Sequence, residues 1–188
     1  MDQKTRRPAR RGKPSATVST KGSNTRGTSA ATSQDELFNT HALAIVSFIY
    51  NRVVAGAAGP LRKRLKLSVT EARIAFHIGA SDSATAAELV RIMGLDKAAI
   101  SRGTARLIEL GLIKSEPDPQ HAGRNLLSVT RSGRTAYDAI ARFTYAREDY
   151  LLSVLSASEQ KTFLESLRKI LTNVEPTNEL ARTGHFWD

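Results

Sequence analysis

The stretch Gly94–Ile113, GLDKAAISRGTARLIELGLI, constrains the fold more than any other part of the chain. It follows a short apolar segment that ends at Gly94, and Asp96 stands where a helix N-cap is expected, with Lys97 as the first helical residue. The next apolar residues repeat at helical spacing, at Ile100, Leu107 and Leu110. A short helix, a tight glycine turn and a longer amphipathic helix predict a helix-turn-helix.

Four segments begin with Ser/Thr-x-x-Glu, a pattern in which the hydroxyl and the carboxylate satisfy backbone N–H groups reciprocally at a helix N-terminus. The pairs are Ser33/Glu36, Ser68/Glu71, Thr85/Glu88 and Ser156/Glu159. Together with the apolar periodicity they predict helices over about 34–56, 69–78, 86–93, 97–110, 131–155 and 157–174. The first helix is expected to stop at GAAGP, Gly56 to Pro60, and the second at Gly79.

Strand signals are confined to one place, where LIKSE and LLSVT are separated by the polar loop PDPQHAGRN. These runs predict a β-hairpin directly after the helix 97–110. The fold class is therefore expected to be mainly α: a winged helix-turn-helix with a two-stranded β-wing and long N- and C-terminal helices.

The charge divides the chain of 188 residues into a tail and a folded part. Residues 1–33 hold eight Lys or Arg and one Asp of a chain whose net charge is +10, and their Ser, Thr, Gly and Pro content predicts disorder. Three uses stay open for this tail: an electrostatic arm on nucleic acid, an inert extension, or an organelle transit peptide. We assign 34–174 to one domain and 175–188 to a C-terminal tail.

Several classes of chemistry are not expected. The chain has no cysteine, which excludes thiolate catalysis and Cys-ligated zinc. The four histidines lack metal-ligand spacing, and no phosphate-binding loop or nucleophile elbow is present. We expect no metal, no cofactor and no enzymatic activity. No apolar run approaches the roughly 18 to 20 residues that span a bilayer, so we expect a cytoplasmic protein without a membrane partner.

The helix 97–110 carries a second, polar side that suits the major groove of DNA. A recognition helix enters the groove with its N-terminal half, which must be slim and must carry donors for base edges. We expect Ala98 and Ser101 to meet base edges, Arg102 to pair with guanine, and Lys97 and Arg106 to contact phosphates. In the hairpin, Arg124 is the candidate for minor-groove or phosphate contact from the wing, 117–125.

The chain from Ser68 to Gly133 resembles the MarR family of winged-helix transcriptional regulators. The resemblance rests on LSVTEARIAFHIG, TAAELVRIMGLDKAAISR, RLIELGLI and LLSVTRSGR. It implies a homodimer that binds a pseudo-palindromic site on double-stranded DNA, most often as a repressor. The dimer would form through the helices within 34–60 and 131–174, around a DNA-binding lobe, 68–130. A first helix that is apolar on nearly all sides independently needs such a cover.

The resemblance also implies a cleft for a small aromatic or anionic effector between the dimer helices and the DNA-binding lobe. The candidate lining residues are His41, Phe48, Arg52, Phe76 and His77. Two positions depart from the family pattern. Gly103 stands within the recognition helix, where glycine costs about 1 kcal/mol relative to Ala, so we expect a helix that is either softened or packed unusually close to a neighbour. The wing lacks the Asp-x-Arg signature, because His121 and Gly123 stand at those places.

Two alternatives remain open at this point. A winged-helix module can present the same face to another protein, in which case the surface around Lys97, Arg102, Arg106 and Arg124 need not be basic. A nonspecific DNA-coating protein would use the basic tail and show no preferred sequence.

Overall fold

The computed structural model describes residue 36 and residues 40–187. The elements follow in the order α1 (Ala42–Leu65), α2 (Val69–Ala80), β1 (Ser83–Ala84), α3 (Ala86–Met93), α4 (Lys97–Glu109), β2 (Ile113–Pro117), β3 (Asn125–Val129), α5 (Arg131–Leu152), α6 (Ala157–Thr172) and α7 (Val174–Arg182). The chain divides into two compact units, Met1–Val46 and Ser47–Asp188, and the core lies in the second. The mainly helical winged fold is confirmed; the basic tail 1–33 lies outside the described residues.

Three predicted capping boxes are present at the starts of α2, α3 and α6. At Ser68 the Glu71 carboxylate accepts the Ser68 N–H at 2.7 Å, while the Glu71 N–H donates to Ser68 Oγ at 3.2 Å. Thr85 and Glu88 repeat this exchange, as do Ser156 and Glu159. These local signals therefore fix three helix starts. The fourth pair begins with Ser33, which lies outside the described residues.

The prediction that α1 stops at Gly56–Pro60 is wrong, since the helix continues to Leu65. Proline removes one helical hydrogen bond and crowds the carbonyl four residues earlier, here that of Gly56. That carbonyl belongs to an exposed glycine, so water can solvate it. Ala57 and Leu61, each 6 % exposed, are buried in the core on either side of the proline. Their burial favours helix continuation, and the basic run that follows Pro60 forms the last turns of α1.

Gly79 does not terminate α2, which continues to Ala80. It is buried against α5, where an added Cβ would lie 2.3 Å from a ring carbon of Tyr137. The glycine is therefore needed for close helix packing and not for a turn. Periodicity along one helix carries no information about such a contact.

The wing is a three-stranded antiparallel sheet in the order β1-β3-β2. Ile113 pairs with Val129 and Pro117 with Asn125, as the predicted hairpin requires. The two-residue strand β1 adds to the other edge of β3 through Ser83–Ser128 and Ala84–Leu127. β1 could not be predicted from the sequence, because two residues are too few to show alternation.

The core gathers around α2, which packs against α5, α4 and the sheet. Its fully buried large side chains are Leu67, Ile74, Ile78, Leu89, Ile100, Leu107 and Ile113. They come from α2, α3, α4, β2 and the segment before α2, so the helix-turn-helix and the wing share one core with α2.

The start of α5 is joined to the turn between α4 and β2. The Thr130 N–H donates to the Leu112 carbonyl at 3.0 Å, and Thr130 Oγ1 donates to the Gly111 carbonyl at 2.7 Å. Thr130 Oγ1 also accepts the N–H of Gly133 and so caps α5. An added Cβ on Gly133 would lie 1.7 Å from the Leu112 oxygen. The junction therefore requires glycine at this position.

The helices at the two ends of the chain leave large apolar side chains exposed. On α1 they include Leu43, at 75 %, and on α6 Leu171, at 71 %. The C-terminal segment, predicted as a tail, contains the further helix α7, and beyond it Trp187 is 88 % exposed. α1 is also, by length and composition, apolar enough to cross a membrane, so the expectation that no apolar run approaches that length is wrong.

Candidate nucleic-acid interface

Helix α4 begins at Lys97, as predicted, with Asp96 as its N-cap. Asp96 Oδ1 accepts the Ala99 N–H at 2.7 Å. Ile100 and Leu107 are fully buried, and the hydroxyl of Thr104 donates to the Ile100 carbonyl at 2.9 Å. One side of α4 is therefore fixed on the core along its whole length.

Gly103 lies on that fixed side, against α2. An added Cβ would lie 2.4 Å from Ile74 Cδ1, and Ile74 is fully buried. The glycine thus allows α4 to approach α2 more closely than any larger residue would permit. The cost of glycine within a helix is offset by this contact.

The opposite side of α4 exposes Lys97, Ala98, Ser101 and Arg102. In the part of the chain that the structure describes, neither Lys97 nor Arg102 lies within 4 Å of a carboxylate. Two small residues flanked by two unpaired cations make a narrow, positively charged tip. Such a tip fits the width of the major groove and can donate to base edges and phosphates.

Arg106 is also exposed, but Glu109 engages it. Arg106 Nη1 lies 2.7 Å from Glu109 Oε1, and this hydrogen bond raises the pKa of the guanidinium. A phosphate at Arg106 must compete with a carboxylate one turn further along the helix. The contribution of Arg106 to DNA affinity is therefore expected to be smaller than that of Lys97 or Arg102.

The N-terminus of α2 adjoins this tip, which the sequence analysis did not foresee. Ser68, Thr70 and Glu71 line a shallow depression of about 220 Å³ together with Ala99, Arg102 and Gly103. The close approach at Gly103 brings the two helices together here. The Ser68 capping box predicts the helix start but not its neighbour on α4.

The wing loop places Arg124 beside a carboxylate that the sequence analysis did not single out. Arg124 Nε lies 3.9 Å from Asp118 Oδ2, and the Asp118 side chain is 7 % exposed whereas that of Arg124 is 47 % exposed. The Asp118 N–H donates to the Arg124 carbonyl at 2.8 Å, and Asp118 Oδ1 accepts the N–H of Gln120. The loop thus pairs an arginine with an aspartate six residues earlier, in place of the missing Asp-x-Arg.

A cleft of about 210 Å³ lies between α1, α2 and α5. Phe76 and His77, two of the predicted effector residues, line it together with Tyr50, Arg73, Phe143 and Arg147. Arg147 Nη2 donates to the Val53 carbonyl at 2.7 Å, and Arg73 lies over the Tyr50 ring at 5.7 Å. Among the described residues no carboxylate pairs with Arg73 or Arg147. The cleft therefore combines apolar walls with two cations.

The other predicted effector residues have different surroundings. Arg52 lies over the ring of Phe48 at 4.8 Å, and neither residue lines the cleft. His41 is an exposed residue of the N-terminal unit. Within the cleft, burial and then the nearby Arg73 lower the pKa of His77. Both effects favour the neutral form of His77.

The sequence profile described as "MarR family" matches residues 65–122, which extend from the end of α1 into the wing loop. No curated protein sequence matches the chain significantly. The matched segment contains all of α2, α3 and α4. It therefore includes the exposed tip of α4, which is formed by Lys97, Ala98, Ser101 and Arg102.

Solved structures share the fold over most of the chain. A MarR family transcriptional regulator from Listeria monocytogenes, complexed with 26mer DNA, has a TM-score of 0.68 at 21% identity, covering 77% of this chain and 96% of its own. A MarR/EmrR family regulator from Acinetobacter sp. ADP1 has a TM-score of 0.67 at 23% identity, covering 74% of this chain and 98% of its own. A MarR variant from E. coli, complexed with operator DNA, has a TM-score of 0.59 at 19% identity, covering 72% of this chain and 97% of its own. Two of these relatives were thus crystallised on DNA.

Proposed function

Because residues 65–122 match the MarR family model and regulators crystallised with DNA share the fold, we propose that this chain is a MarR-family winged-helix transcriptional regulator. It would bind a pseudo-palindromic operator as a homodimer and repress transcription until an effector releases it. Regulators of this family bind DNA and are not enzymes.

The observation that carries the proposal is the division of α4 into a fixed side and a free tip. Ile100, Gly103 and Leu107 are buried on the core, whereas Lys97 and Arg102 are exposed without an ion pair among the described residues. A rigid helix with a slim cationic end is what groove reading requires. Arg102 is proposed to pair with guanine, Lys97 and Arg106 to contact phosphates, and Ala98 and Ser101 to meet base edges.

The wing is proposed to hold the flanking DNA. Arg124 projects from the loop of the hairpin 117–125, and its Nε lies 3.9 Å from the mostly buried carboxylate of Asp118, which favours rotamers that keep the guanidinium beside it. An arginine with few accessible rotamers loses less entropy when it contacts a phosphate or the minor groove.

We propose that a second copy of the chain covers the exposed apolar side chains of α1 and α6. α6 places its exposed apolar residues on one side, at Phe163, Leu164, Ile170 and Leu171. Lys169 and Glu165 lie on the other side, as expected for a helix that contacts protein on one face and water on the other. We propose that the same second copy, and not a lipid bilayer, covers the exposed apolar side chains of α1. In that dimer two α4 tips about 34 Å apart would reach successive turns of DNA.

The effector is proposed to be a small aromatic or apolar molecule with a negative charge, bound in the cleft between α1, α2 and α5. Its apolar part would contact Phe76 and Phe143, and its anionic group would pair with Arg73 or Arg147. α5 continues from the Thr130 junction, which is bonded to the end of the α4–β2 turn. A movement of α5 on ligand binding would thus be transmitted to the DNA-binding lobe. The protein is proposed to act in the cytoplasm.

Selection of duplexes from a random pool by the purified full chain tests the proposal. We expect enrichment of one motif with two inverted half-sites about 10 base pairs apart, and retention of binding in excess bulk DNA. An unenriched pool with salt-sensitive binding would indicate a DNA-coating protein. Absence of binding at low salt would favour a protein-interaction module.

A further inference from the structure

A second, larger cavity lies beside α1 and α5, away from the tip of α4. It has a volume of about 800 Å³ and is lined by the last turns of α1 and by Ala139, Arg142 and Phe143 of α5. Its size falls within the range of about 300–1,000 Å³ that is typical of small-molecule sites. The cavity shares Leu61 and Phe143 with the effector cleft but none of the cations of that cleft.

The rim of this cavity is positively charged. Lys63 and Arg64 reach it from α1, and Arg142 reaches it from α5. Within residues 36 and 40–187 none of the three cations makes an ion pair or a hydrogen bond, and Asp138, one turn before Arg142, does not pair with it. Three cations that line one cavity without a carboxylate partner raise its positive potential and favour the binding of an anion.

The floor of the cavity is apolar. Leu61 is buried in the core, and Leu65 and Phe143 pack against that core while each remains partly accessible. A simple inorganic anion would pair with the cations of the rim but leave the apolar floor in contact with water. A molecule with an anionic end and an apolar body would pair with the cations and also cover the floor.

We propose that this cavity is a second ligand site, which binds an amphipathic organic anion with its acidic group among Lys63, Arg64 and Arg142 and its apolar body on Leu61, Leu65 and Phe143. The site differs from the effector cleft in its cations, since Lys63, Arg64 and Arg142 line the cavity whereas Arg73 and Arg147 line the cleft. The inference does not depend on DNA binding, so the failure of one proposal leaves the other standing.

The test uses two fluorescent probes that share one aromatic skeleton. 8-Anilinonaphthalene-1-sulfonate carries a sulfonate, and N-phenyl-1-naphthylamine lacks it. Titration of the full-length protein should show tighter binding of the sulfonate. The double variant Lys63→Gln/Arg142→Gln should weaken that binding about tenfold, which corresponds to 1.4 kcal/mol, and should leave the neutral probe unchanged.

Two controls separate this cavity from other surfaces. The effector cleft would itself bind an aromatic sulfonate, so the titrations are repeated in an Arg73→Gln/Arg147→Gln background. In that background Lys63→Gln/Arg142→Gln should still weaken sulfonate binding about tenfold, whereas Lys169→Gln, which removes an exposed cation of α6, should not. Thermal unfolding of each variant verifies that it folds. The proposal is overturned if Lys63→Gln/Arg142→Gln leaves sulfonate binding unchanged in the background without the cleft arginines. It is also overturned if binding disappears as the protein concentration rises, because a second copy then fills the cavity.

A loss of DNA affinity in the Lys63/Arg142 variant, with the sulfonate titration unchanged, would assign these cations to DNA phosphates and would also overturn the proposal. Equal losses for the charged and neutral probes would do the same, since the cations would then act only through packing.

Discussion

Arg124 Nε lies 3.9 Å from Asp118 Oδ2, so the exposed arginine of the wing loop pairs with a mostly buried aspartate. The Asp118 N–H also donates to the Arg124 carbonyl at 2.8 Å. This backbone bond joins the two ends of the loop. The wing therefore carries a cation beside a carboxylate although the Asp-x-Arg spacing of the family is absent.

Replacing Asp118 by Asn should weaken binding to the selected operator by about fivefold, because a freely rotating Arg124 loses entropy when it binds. Filter binding or fluorescence anisotropy measures this change. In an Arg124→Ala background the same replacement should have no further effect. The matched control is Glu116→Gln, which removes a carboxylate that pairs with Lys114 on the same strand, β2. Tighter binding by Asp118→Asn would contradict a positioning role.

Replacing Arg102 by Ala should cost about 1–3 kcal/mol of binding to the selected operator, the value of one bidentate contact with guanine. The loss on a scrambled duplex of equal length should be much smaller. Arg168→Ala, on α6, serves as the control for loss of a positive charge elsewhere. Equal losses on both duplexes would show that Arg102 contacts phosphate only.

Replacing Gly133 by Ala should lower the free energy of unfolding by about 3 kcal/mol, since the new Cβ would lie 1.7 Å from the backbone oxygen of Leu112. A backbone atom at a junction with several hydrogen bonds cannot move aside as a flexible side chain can. Urea denaturation measures the change. Gly59→Ala is the matched control, because no atom lies within 4 Å of its added Cβ. Similar stability of the two variants would disprove the close contact.

Replacing Leu171 by Glu should shift the protein from dimer to monomer, since this 71 % exposed leucine belongs to the apolar side of α6. Sedimentation velocity over a range of concentrations measures the shift. Lys169→Glu introduces the same side chain on the polar side and should leave the dimer intact. A dimer that persists in the Leu171 variant would place the interface on other helices.

Acidification should destabilise the protein through His77. Burial and Arg73 lower the pKa of His77 below its usual 6.5, so the unfolded chain binds more protons between the two pKa values. The contribution of His77 to stability is therefore complete above pH 6.5 and falls as the pH drops toward the folded-state pKa. Thermal unfolding from pH 7.5 to 5 should show a smaller decline for His77→Gln. An equal decline in wild type and variant would exclude His77 as the cause.

The sequence predicted what local hydrogen bonds determine. Asp96 caps α4 and Thr85 caps α3 because their side chains satisfy N–H groups within three residues. Gly94 and Gly111 have positive φ, of 63° and 66°, where each helix was predicted to stop. The candidate residues of α4 could also be predicted, because helical spacing alone separates the exposed tip from the buried side.

The failures concern contacts between distant segments. The signal at Pro60 is a helix stop, and only the burial of Ala57 and Leu61 explains why α1 continues. Arg147 enters the effector cleft from a helix about 70 residues beyond His77, so no local pattern could add it. The pairing of Asp118 with Arg124 likewise depends on a loop conformation that spacing does not specify.

The Thr130 junction has a consequence for how the protein can change shape. The first turn of α5 is tied to the carbonyls of Gly111 and Leu112, and Gly133 leaves no gap between them. A tilt of α5 must therefore move α4 and the wing with it as one rigid body. In a dimer, the distance between the two α4 helices on DNA would then depend on the angle between the two α5 helices.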